Sequence, residues 1–116
     1  MRRLSKFLVG VDQGSIILFS DYQHGGAMWT GSGPRELRQL VSFSERYATP
    51  PAVQVTISMW DMDKKSNQRA DISADMVTEE GFAVVFRTWG DTRVARVRAD
   101  WLAIGELPSD DDWDIR

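Results

Sequence analysis

One arginine, one tryptophan and a glycine–aspartate turn are the residues whose types could hold a polar ligand. Arg69 stands at the start of an alternating run, and Trp89 comes directly before Gly90 and Asp91. A guanidinium offers a planar fork of donors, a carboxylate accepts hydrogen bonds from hydroxyl groups, and an indole ring offers an apolar platform. Such a set suits a polyhydroxylated ligand such as a sugar, and structural ion pairing is the alternative interpretation.

A glycine-rich segment is the third part of this candidate site. Residues 25–34 read GGAMWTGSGP, and glycines in this number followed by a proline are incompatible with a helix interior or a long strand. We therefore predict a loop, which either lets the backbone approach a ligand or only turns the chain. The Gly31-Ser32-Gly33 sequence lacks the third glycine of a dinucleotide-binding loop and the Lys-Ser/Thr of a phosphate-binding loop.

Metal binding and histidine chemistry have little support in the residue types. His24 is the single histidine, lies in a glycine-flanked loop, and has no recognised nucleophile motif nearby, so we predict a surface residue. Residues 61–72 imitate a calcium loop, but Lys65 takes a ligand position, Ile72 stands where the bidentate glutamate belongs, and the required glycine is absent. We predict no metal, no cofactor and no enzyme activity.

A glycosidase would need two carboxylates that face each other across a cleft, and spacing alone cannot establish such a pair. The candidate carboxylates are Asp71, Asp75, Asp91 and Asp100. A row of arginines could instead track an anionic ligand, but we expect cross-strand pairing with the nearby aspartates. This row consists of Arg93, Arg96 and Arg98.

Composition bounds the classes of partner. The chain has 116 residues, of which 42% are hydrophobic, and 14 basic against 17 acidic residues give a net charge of −3. One domain without a global basic field is expected, and nucleic acid is an unfavourable partner. No window approaches the roughly 18 apolar residues of a membrane-spanning helix, so we expect no membrane insertion. The apolar run at residues 7–11 is too short for a signal-peptide core, which leaves export by another route or within a particle.

Alternating residues predict an all-β, antiparallel sandwich. The clearest strand places Val53, Val55, Ile57 and Met59 on one face. Further strands are predicted at 15–20, 38–43 and 70–76, with residues 4–11 as a candidate to pair beside the first. The alternation of residues 70–76, continued back to Arg69, places this residue on the face away from the core. No internal repeat at a solenoid period is present.

Residues 81–105 are predicted to form a hairpin around which the chain is organised. Phe82, Val84, Phe86 and Thr88 share one face of its first strand, Gly90-Asp91 supplies the turn, and a second alternating strand follows. The second strand places Val97, Ala99, Trp101 and Ala103 on one face. We predict one domain over residues 1–107, with 1–14 as an N-terminal strand or arm. Residues 108–116 are predicted to form an acidic tail outside the packed unit, with Trp113 touching it.

The order of several stretches resembles the H-type lectin family, the group of the snail agglutinins and the C-terminal domain of the discoidins. These stretches are RELRQLVSFSERYATPPAVQVTIS, the aspartate of MWDMD, NQRADISA, VTEEGFAVVFRTWGDTRV and the Trp101 strand. The resemblance covers residues 25–105, and the series of motifs is much more specific than any one of them. It implies a six-stranded antiparallel β-sandwich that assembles as trimers, sometimes stacked into hexamers, with galactose or N-acetylgalactosamine bound near protomer interfaces.

The resemblance also implies which residues would contact a sugar. The family's sugar-binding arginine falls on Arg69 and its tryptophan on Trp89, while a glycine position falls near Thr30 or Gly31. This chain departs from the family pattern at three positions. Ser32 stands where the family usually has an aspartate, Gly90 where it has a sugar-contacting histidine, and Ala95 where it has an aromatic residue. Each departure removes a contact, and Asp91 is the candidate replacement acceptor.

Two functions follow as expectations. The first is a non-enzymatic lectin module that binds galactose- or N-acetylgalactosamine-type glycans at cell surfaces, outside the cell or on a particle. The second is a trimeric assembly or attachment domain, such as a fibre or particle tip or an adhesin, that keeps the lectin sandwich with altered or lost sugar binding. The departures at Ser32 and Gly90 favour the second.

Overall fold

The computed structural model describes residues 1–5 and 8–109 and contains two antiparallel sheets of three strands each. The strands are β1 (Val9–Ser20), β2 (Arg35–Ser42), β3 (Ala52–Met62), β4 (Asp71–Asp75), β5 (Gly81–Thr88) and β6 (Val94–Glu106). Two four-residue helices, α1 (Asp21–His24) and α2 (Ala27–Thr30), follow β1. The predicted all-β antiparallel class is confirmed. Most of the predicted tail, including Trp113, lies outside the described residues.

Each sheet has its most buried strand in the middle. The strand orders are β1–β6–β3 and β2–β5–β4, and every neighbouring pair is antiparallel. Within the described residues, neither helix has the length and apolarity needed to cross a bilayer. The connecting loops lie at the two ends of the sandwich, where the strands of the two sheets position them.

The prediction of a hairpin over residues 81–105 is wrong, because its two strands belong to different sheets. β5 pairs with β2 and β4, whereas β6 pairs with β1 and β3. Both edges of each strand are thus occupied by other partners. Residues 89–93 cross from one sheet to the other, so the Gly90-Asp91 turn joins two layers. Alternation correctly identified the strands, but it carries no information about which strand lies beside which.

β1 is one continuous strand, so the predicted pairing of residues 4–11 beside 15–20 is wrong. Gly10 and Gly14 both lie inside the ladder with β6. A Cβ atom on Gly14 would stand 2.6 Å from Nε1 of Trp101. Glycine at this position therefore lets the indole pack against the strand backbone, which is a reason for glycine inside a strand.

The core lies between the sheets and is rich in aromatic rings. Phe43 stacks on Phe82 with ring centroids 5.7 Å apart, and Trp101 meets Phe82 edge-on at 5.5 Å. At the other end, Phe19 and Phe86 lie 5.4 Å apart. Aromatic pairs at these separations add to the stabilisation from burial, which makes this interface the main source of cohesion between the sheets.

The outer faces of the two sheets differ in chemistry. On the β2–β5–β4 sheet, Val85 is fully buried although it points away from the core, between Arg38 and Ser73 in the register. Arg38 there bridges Glu36 at 3.2 Å and Asp75 at 2.9 Å. The stems of such charged side chains cover apolar surface while their heads stay in water. The outer face of the β1–β6–β3 sheet instead exposes Val9, Val11 and Ile17.

Candidate functional site

Two buried threonines fix the backbone that carries Arg69. The Thr88 hydroxyl, at the end of β5, donates to the carbonyl of Arg69 at 2.6 Å. The Thr92 hydroxyl accepts from the backbone N–H of Arg69 at 3.1 Å and donates to the carbonyl of Asn67 at 2.5 Å. Both threonines are buried. The backbone of residues 67–69 is therefore attached at three points to the end of β5 and to the crossover between the sheets.

The Arg69 side chain meets Asp91 across this connection. Nη1 of Arg69 donates to Oδ1 of Asp91 at 2.7 Å, and both side chains remain well exposed. Asp91 also accepts from the backbone N–H and the side-chain amide of Asn67, each at 3.3 Å. These Asn67 hydrogen bonds, with a smaller contribution from Arg69, hold the pKa of Asp91 below its ordinary value. The carboxylate thus orients the guanidinium.

Gly90 joins the crossover to the glycine-rich loop. Its carbonyl accepts from the backbone N–H of Gly33 at 2.9 Å and from Nη2 of Arg35 at 3.3 Å. Gly90 has a φ of 69°, and a Cβ atom there would lie 3.2 Å from Nη1 of Arg69. A side chain at this position would be strained in its backbone and would crowd the arginine.

Arg35 organises the loop that was predicted over residues 25–34. Its guanidinium donates to the carbonyls of Gly33 at 2.9 Å and Met28 at 3.1 Å, besides the carbonyl of Gly90. The segment is not wholly irregular, since α2 forms inside it and Gly31 ends that turn by donating to Ala27 at 2.8 Å. The four residues of α2 lie between Gly25-Gly26 and Gly31, and this stretch is too short for a longer helix.

A surface depression lies beside Trp89. Its volume is about 390 Å³, and its lining consists of Pro34, Arg35, Glu36, Arg87, Thr88 and Trp89. The Trp89 side chain is 43% exposed. An exposed indole at the edge of a polar hollow has the chemistry of an apolar platform beside hydrogen-bonding groups.

A second aromatic group stands at the same end of the sandwich. Tyr22 meets Trp29 edge-to-face with ring centroids 5.1 Å apart, and the Arg93 guanidinium lies 4.2 Å from the centre of the Trp29 ring. Nε of Arg93 donates to the carbonyl of Trp29 at 2.9 Å, and its Nη1 pairs with Asp63 at 3.3 Å. Arg93 thereby ties α2 to the loop after β3.

The structure brings Arg69, Gly90 and Asp91 together and attaches the glycine-rich loop to them through Gly33. Ser32 is exposed on that loop, and Trp89 is exposed at the depression. Ala95, which stands where the family pattern has an aromatic, is 5% exposed and lies within β6.

Arg93 and Arg96 form the expected ion pairs with aspartates, but these aspartates are not Asp91 or Asp100. Arg93 pairs with Asp63, and Arg96 lies 3.7 Å from Asp61. Nε of Arg98 donates to the Ser58 hydroxyl at 3.0 Å. All three partners belong to β3 or the loop after it, because β3 rather than β5 is the neighbour of β6.

The carboxylates considered for glycoside hydrolysis are distributed over both sheets. Asp71 and Asp75 lie on β4 and pair with Arg87 and Arg38, at 3.6 Å and 2.9 Å. Asp100 lies on β6, in the other sheet, and accepts from the Ser58 hydroxyl at 2.8 Å. Hydrogen bonds from Ser15 and Ser58 lower the pKa of Asp100. Each of the three carboxylates is therefore engaged by a side chain of the protein itself.

Sequence reasoning missed four residues around the site: Arg35, Glu36, Asn67 and Arg87. The pairing of β2 with β5 places Glu36 opposite Arg87. The sequence pattern would indicate these two residues only if that pairing were already known. Asn67 lies within residues 61–72, the segment that imitates a calcium loop. Its amide contacts Asp91, which is 24 residues away in the chain, so no local signal could have indicated that role.

Comparisons with known proteins agree with this architecture. Residues 38–104 match the model of the H-type lectin domain. The chain is 63% identical, over 92% of its length and 93% of the relative's, to the ATP synthase subunits region ORF 7 of Fuscovulum blasticum. It is 37% identical over 66% of its length to a discoidin-1 chain of Dictyostelium discoideum, of which it spans 31%.

Solved structures show the same fold. Discoidin II of Dictyostelium discoideum matches with a TM-score of 0.74 at 21% identity, over 94% of this chain and 41% of that one. The tailspike protein gp49 of Pseudomonas phage LKA1 matches with a TM-score of 0.55 at 15% identity, over 87% of this chain and 15% of the tailspike. The domain model covers more than half of the residues, and the chain therefore belongs to the H-type lectin domain family.

Proposed function

We propose that this chain is a non-enzymatic lectin module that binds galactose- or N-acetylgalactosamine-type glycans through Arg69, Trp89, the Gly90-Asp91 turn and the Gly31-Ser32 loop. Family membership and the discoidin-like fold support carbohydrate binding as the general activity. The observation that carries the proposal is the Arg69–Asp91 pair, which presents an oriented guanidinium at an exposed end of the sandwich. We further propose that residues 1–107 form this domain.

Hydrogen-bonding capacity assigns different roles to the two charged residues. A guanidinium has five N–H donors, and one of those on Arg69 is directed at Asp91. The others remain for the hydroxyl and ring oxygens of a sugar. Asp91 accepts from both Arg69 and Asn67, so most of its acceptor sites are occupied. In this proposal, Asp91 mainly holds Arg69 in place, and Ser32 supplies a hydroxyl in the adjoining loop.

We propose a homotrimer, with the outer face of the β1–β6–β3 sheet as the contact between protomers. Val11 is 63% exposed on this face, and Ile104 and Ala52 lie beside it in the register. The other sheet carries the ion pairs of Arg38 and Arg87 across its outer face, whereas the Arg96–Asp61 pair of this sheet lies at the strand end away from Val11, so the other sheet is the less favourable surface to desolvate. A shallow sugar site binds at about the millimolar level, and linked sites raise the overall affinity by roughly 10²–10⁴-fold.

Glycan-array binding by the wild-type protein and by Arg69→Ala tests the proposal. We expect binding of terminal galactose or N-acetylgalactosamine to be lost in Arg69→Ala and kept in the control Arg46→Ala. Arg46 is an exposed arginine that pairs with Glu80 at the opposite end of the β2–β5 pair, away from the proposed protomer contact. A folded wild-type trimer that binds no glycan would contradict the proposal.

The second candidate is an attachment or assembly domain with altered or lost sugar binding. It is favoured by Gly90, which removes a side chain next to Arg69, and by the fold shared with part of a phage tailspike protein. Under this alternative, the trimer docks on a protein partner in a fibre, a particle tip or an adhesin. A folded trimer that is silent on the array and co-purifies with one protein in a fixed ratio would support it.

A further inference from the structure

We propose that the depression beside Trp89 is a second sugar subsite, which takes an uncharged pyranose next to the residue held by Arg69. This inference rests on the proposed lectin function and specifies its ligand as an oligosaccharide. The depression, which we call the Glu36 subsite, is lined by Pro34, Arg35, Glu36, Arg87, Thr88 and Trp89. Its volume of about 390 Å³ leaves room for a sugar ring at an open surface.

Strand pairing explains why this subsite adjoins the Arg69 site. Glu36 on β2 lies opposite Arg87 on β5, and Arg87 lies opposite Asp71 on β4. Trp89 lines the depression together with Arg87 and Glu36, and the next residue in the chain, Gly90, lies against the Arg69 guanidinium. The Arg69 site therefore adjoins the depression through residues 89 and 90.

The Glu36 subsite offers both donors and acceptors. Nε of Arg87 donates to Oε1 of Glu36 at 2.9 Å, and Nε of Arg38 donates to Oε2 of Glu36 at 3.2 Å. Nη1 of Arg87 lies 3.6 Å from Asp71, an ion-pair distance that leaves its N–H groups free to donate elsewhere. A carboxylate has about four acceptor sites, so Glu36 keeps further sites for ligand hydroxyls.

Charge and exposure favour an uncharged ligand. Glu36, Asp71 and Asp75 pair with Arg38 and Arg87 within one network whose side chains are about half exposed. The Arg35 guanidinium, which also lines the depression, is engaged by three backbone carbonyls. A charged ligand would need a free group of opposite charge, and the charged side chains here are already engaged with other groups of the protein. Neighbouring hydroxyls of a sugar, in contrast, can form hydrogen bonds with a fixed carboxylate and guanidinium. Trp89 and Pro34 supply the apolar surface against which the C–H groups of a pyranose pack.

The subsite also bears on the missing acidic residue of the family pattern. Ser32 replaces the aspartate in the glycine-rich loop, and Asp91 is engaged by Asn67 and Arg69. Glu36 is the carboxylate that lines the depression and faces solvent there. Glu36 thus offers a carboxylate acceptor on the outer face of β2 to the second sugar residue, and it does not replace the loop aspartate in the binding of the first.

Calorimetry with soluble monovalent sugars tests this assignment. The probes are the methyl glycoside of N-acetylgalactosamine, the methyl glycoside of galactose, and disaccharides that carry either residue at the non-reducing end. We expect at least one disaccharide to bind the wild type about tenfold more tightly than its monosaccharide. Glu36→Gln should remove most of this gain while it leaves the monosaccharide affinity unchanged.

Two further variants separate ligand contact from structural support. Arg87→Lys keeps the charge but loses the planar fork, and it should also reduce the disaccharide gain. Asp75→Asn is the control, because Asp75 belongs to the same ion-paired face but does not line the depression. It should leave both affinities unchanged, and all three variants should melt as cooperatively as the wild type.

The outcomes distinguish this inference from the proposed function. Wild-type protein that binds monosaccharides and every disaccharide equally well overturns the subsite and leaves the lectin function standing. A disaccharide gain that survives in Glu36→Gln does the same. Absence of binding to all probes and to the array overturns the lectin function and this inference with it.

Discussion

Arg69 donates a hydrogen bond of 2.7 Å to Asp91, and this pair joins the loop before β4 to the crossover between the sheets. Each residue would otherwise be a solvent-exposed charge on its own loop. Their contact fixes the direction of the guanidinium, while Asn67 supports the carboxylate from the other side. A donor held in this way loses little rotamer freedom when a ligand binds, which is the advantage of a preorganised site.

Gly90 is expected to be required for the geometry of Arg69. Gly90→Ala and Gly33→Ala both place a side chain at positive φ, and each should lower the free energy of unfolding by about 1 kcal/mol. Only Gly90→Ala should weaken glycan binding, since its Cβ would crowd Nη1 of Arg69. At Gly33, a Cβ has open space around it. Chemical denaturation and calorimetry measure the two effects, and equal affinities for the two variants would contradict the prediction.

Acidification should destabilise the protein through Asp91. Its pKa is lowered in the folded state, so the stabilisation it provides is present above the unfolded pKa of about 3.9 and is lost as the pH falls through the folded value. Asp91→Asn removes this contribution at every pH. We therefore expect the melting temperatures of wild type and variant to differ at pH 7 and to converge below pH 4. Parallel curves from pH 7 to pH 2 would argue against it.

Ser32→Asp should strengthen galactoside binding. The position is exposed on the loop attached to Gly90, and a carboxylate there adds a charged acceptor of the kind that contributes about 1.5–3 kcal/mol per hydrogen bond. The affinity for the methyl glycoside of N-acetylgalactosamine should rise roughly tenfold or more. Ser42→Asp, at the far end of β2, is the control and should have no effect. An unchanged affinity in Ser32→Asp would show that this loop does not face the sugar.

Val11→Glu should dissociate the proposed trimer. A charge on the outer face of the β1–β6–β3 sheet would be buried without a partner at the contact, and the fold of each protomer should persist because Val11 is exposed. Leu40→Glu is the matched control, since Leu40 is 76% exposed on the outer face of the other sheet. Sedimentation equilibrium gives the mass of each. A wild-type monomer, or a trimer that survives in Val11→Glu and dissociates in Leu40→Glu, would contradict the assignment of this face.

Residue order alone determined the class of the fold, the family and the identity of the strands. Alternation at residues 53–60 corresponds to β3, and the faces assigned within 81–105 match the buried positions of β5 and β6. Arg69 and Trp89 were identified as candidate ligand residues by the same means, through their types and their place in the motif series. These properties are local, because side-chain periodicity and residue type are read from neighbours in the chain.

Only the tertiary structure decided which strands are neighbours and what each charged group contacts. It separated β5 from β6, moved the partners of Arg93, Arg96 and Arg98 to β3 and its following loop, and placed Glu36 and Arg87 beside Trp89. Both edges of β5 and β6 are covered by partner strands and, apart from β4 beside β5, these partners lie far away in the chain. Local patterning does not contain that information, because one alternating strand is compatible with many neighbours.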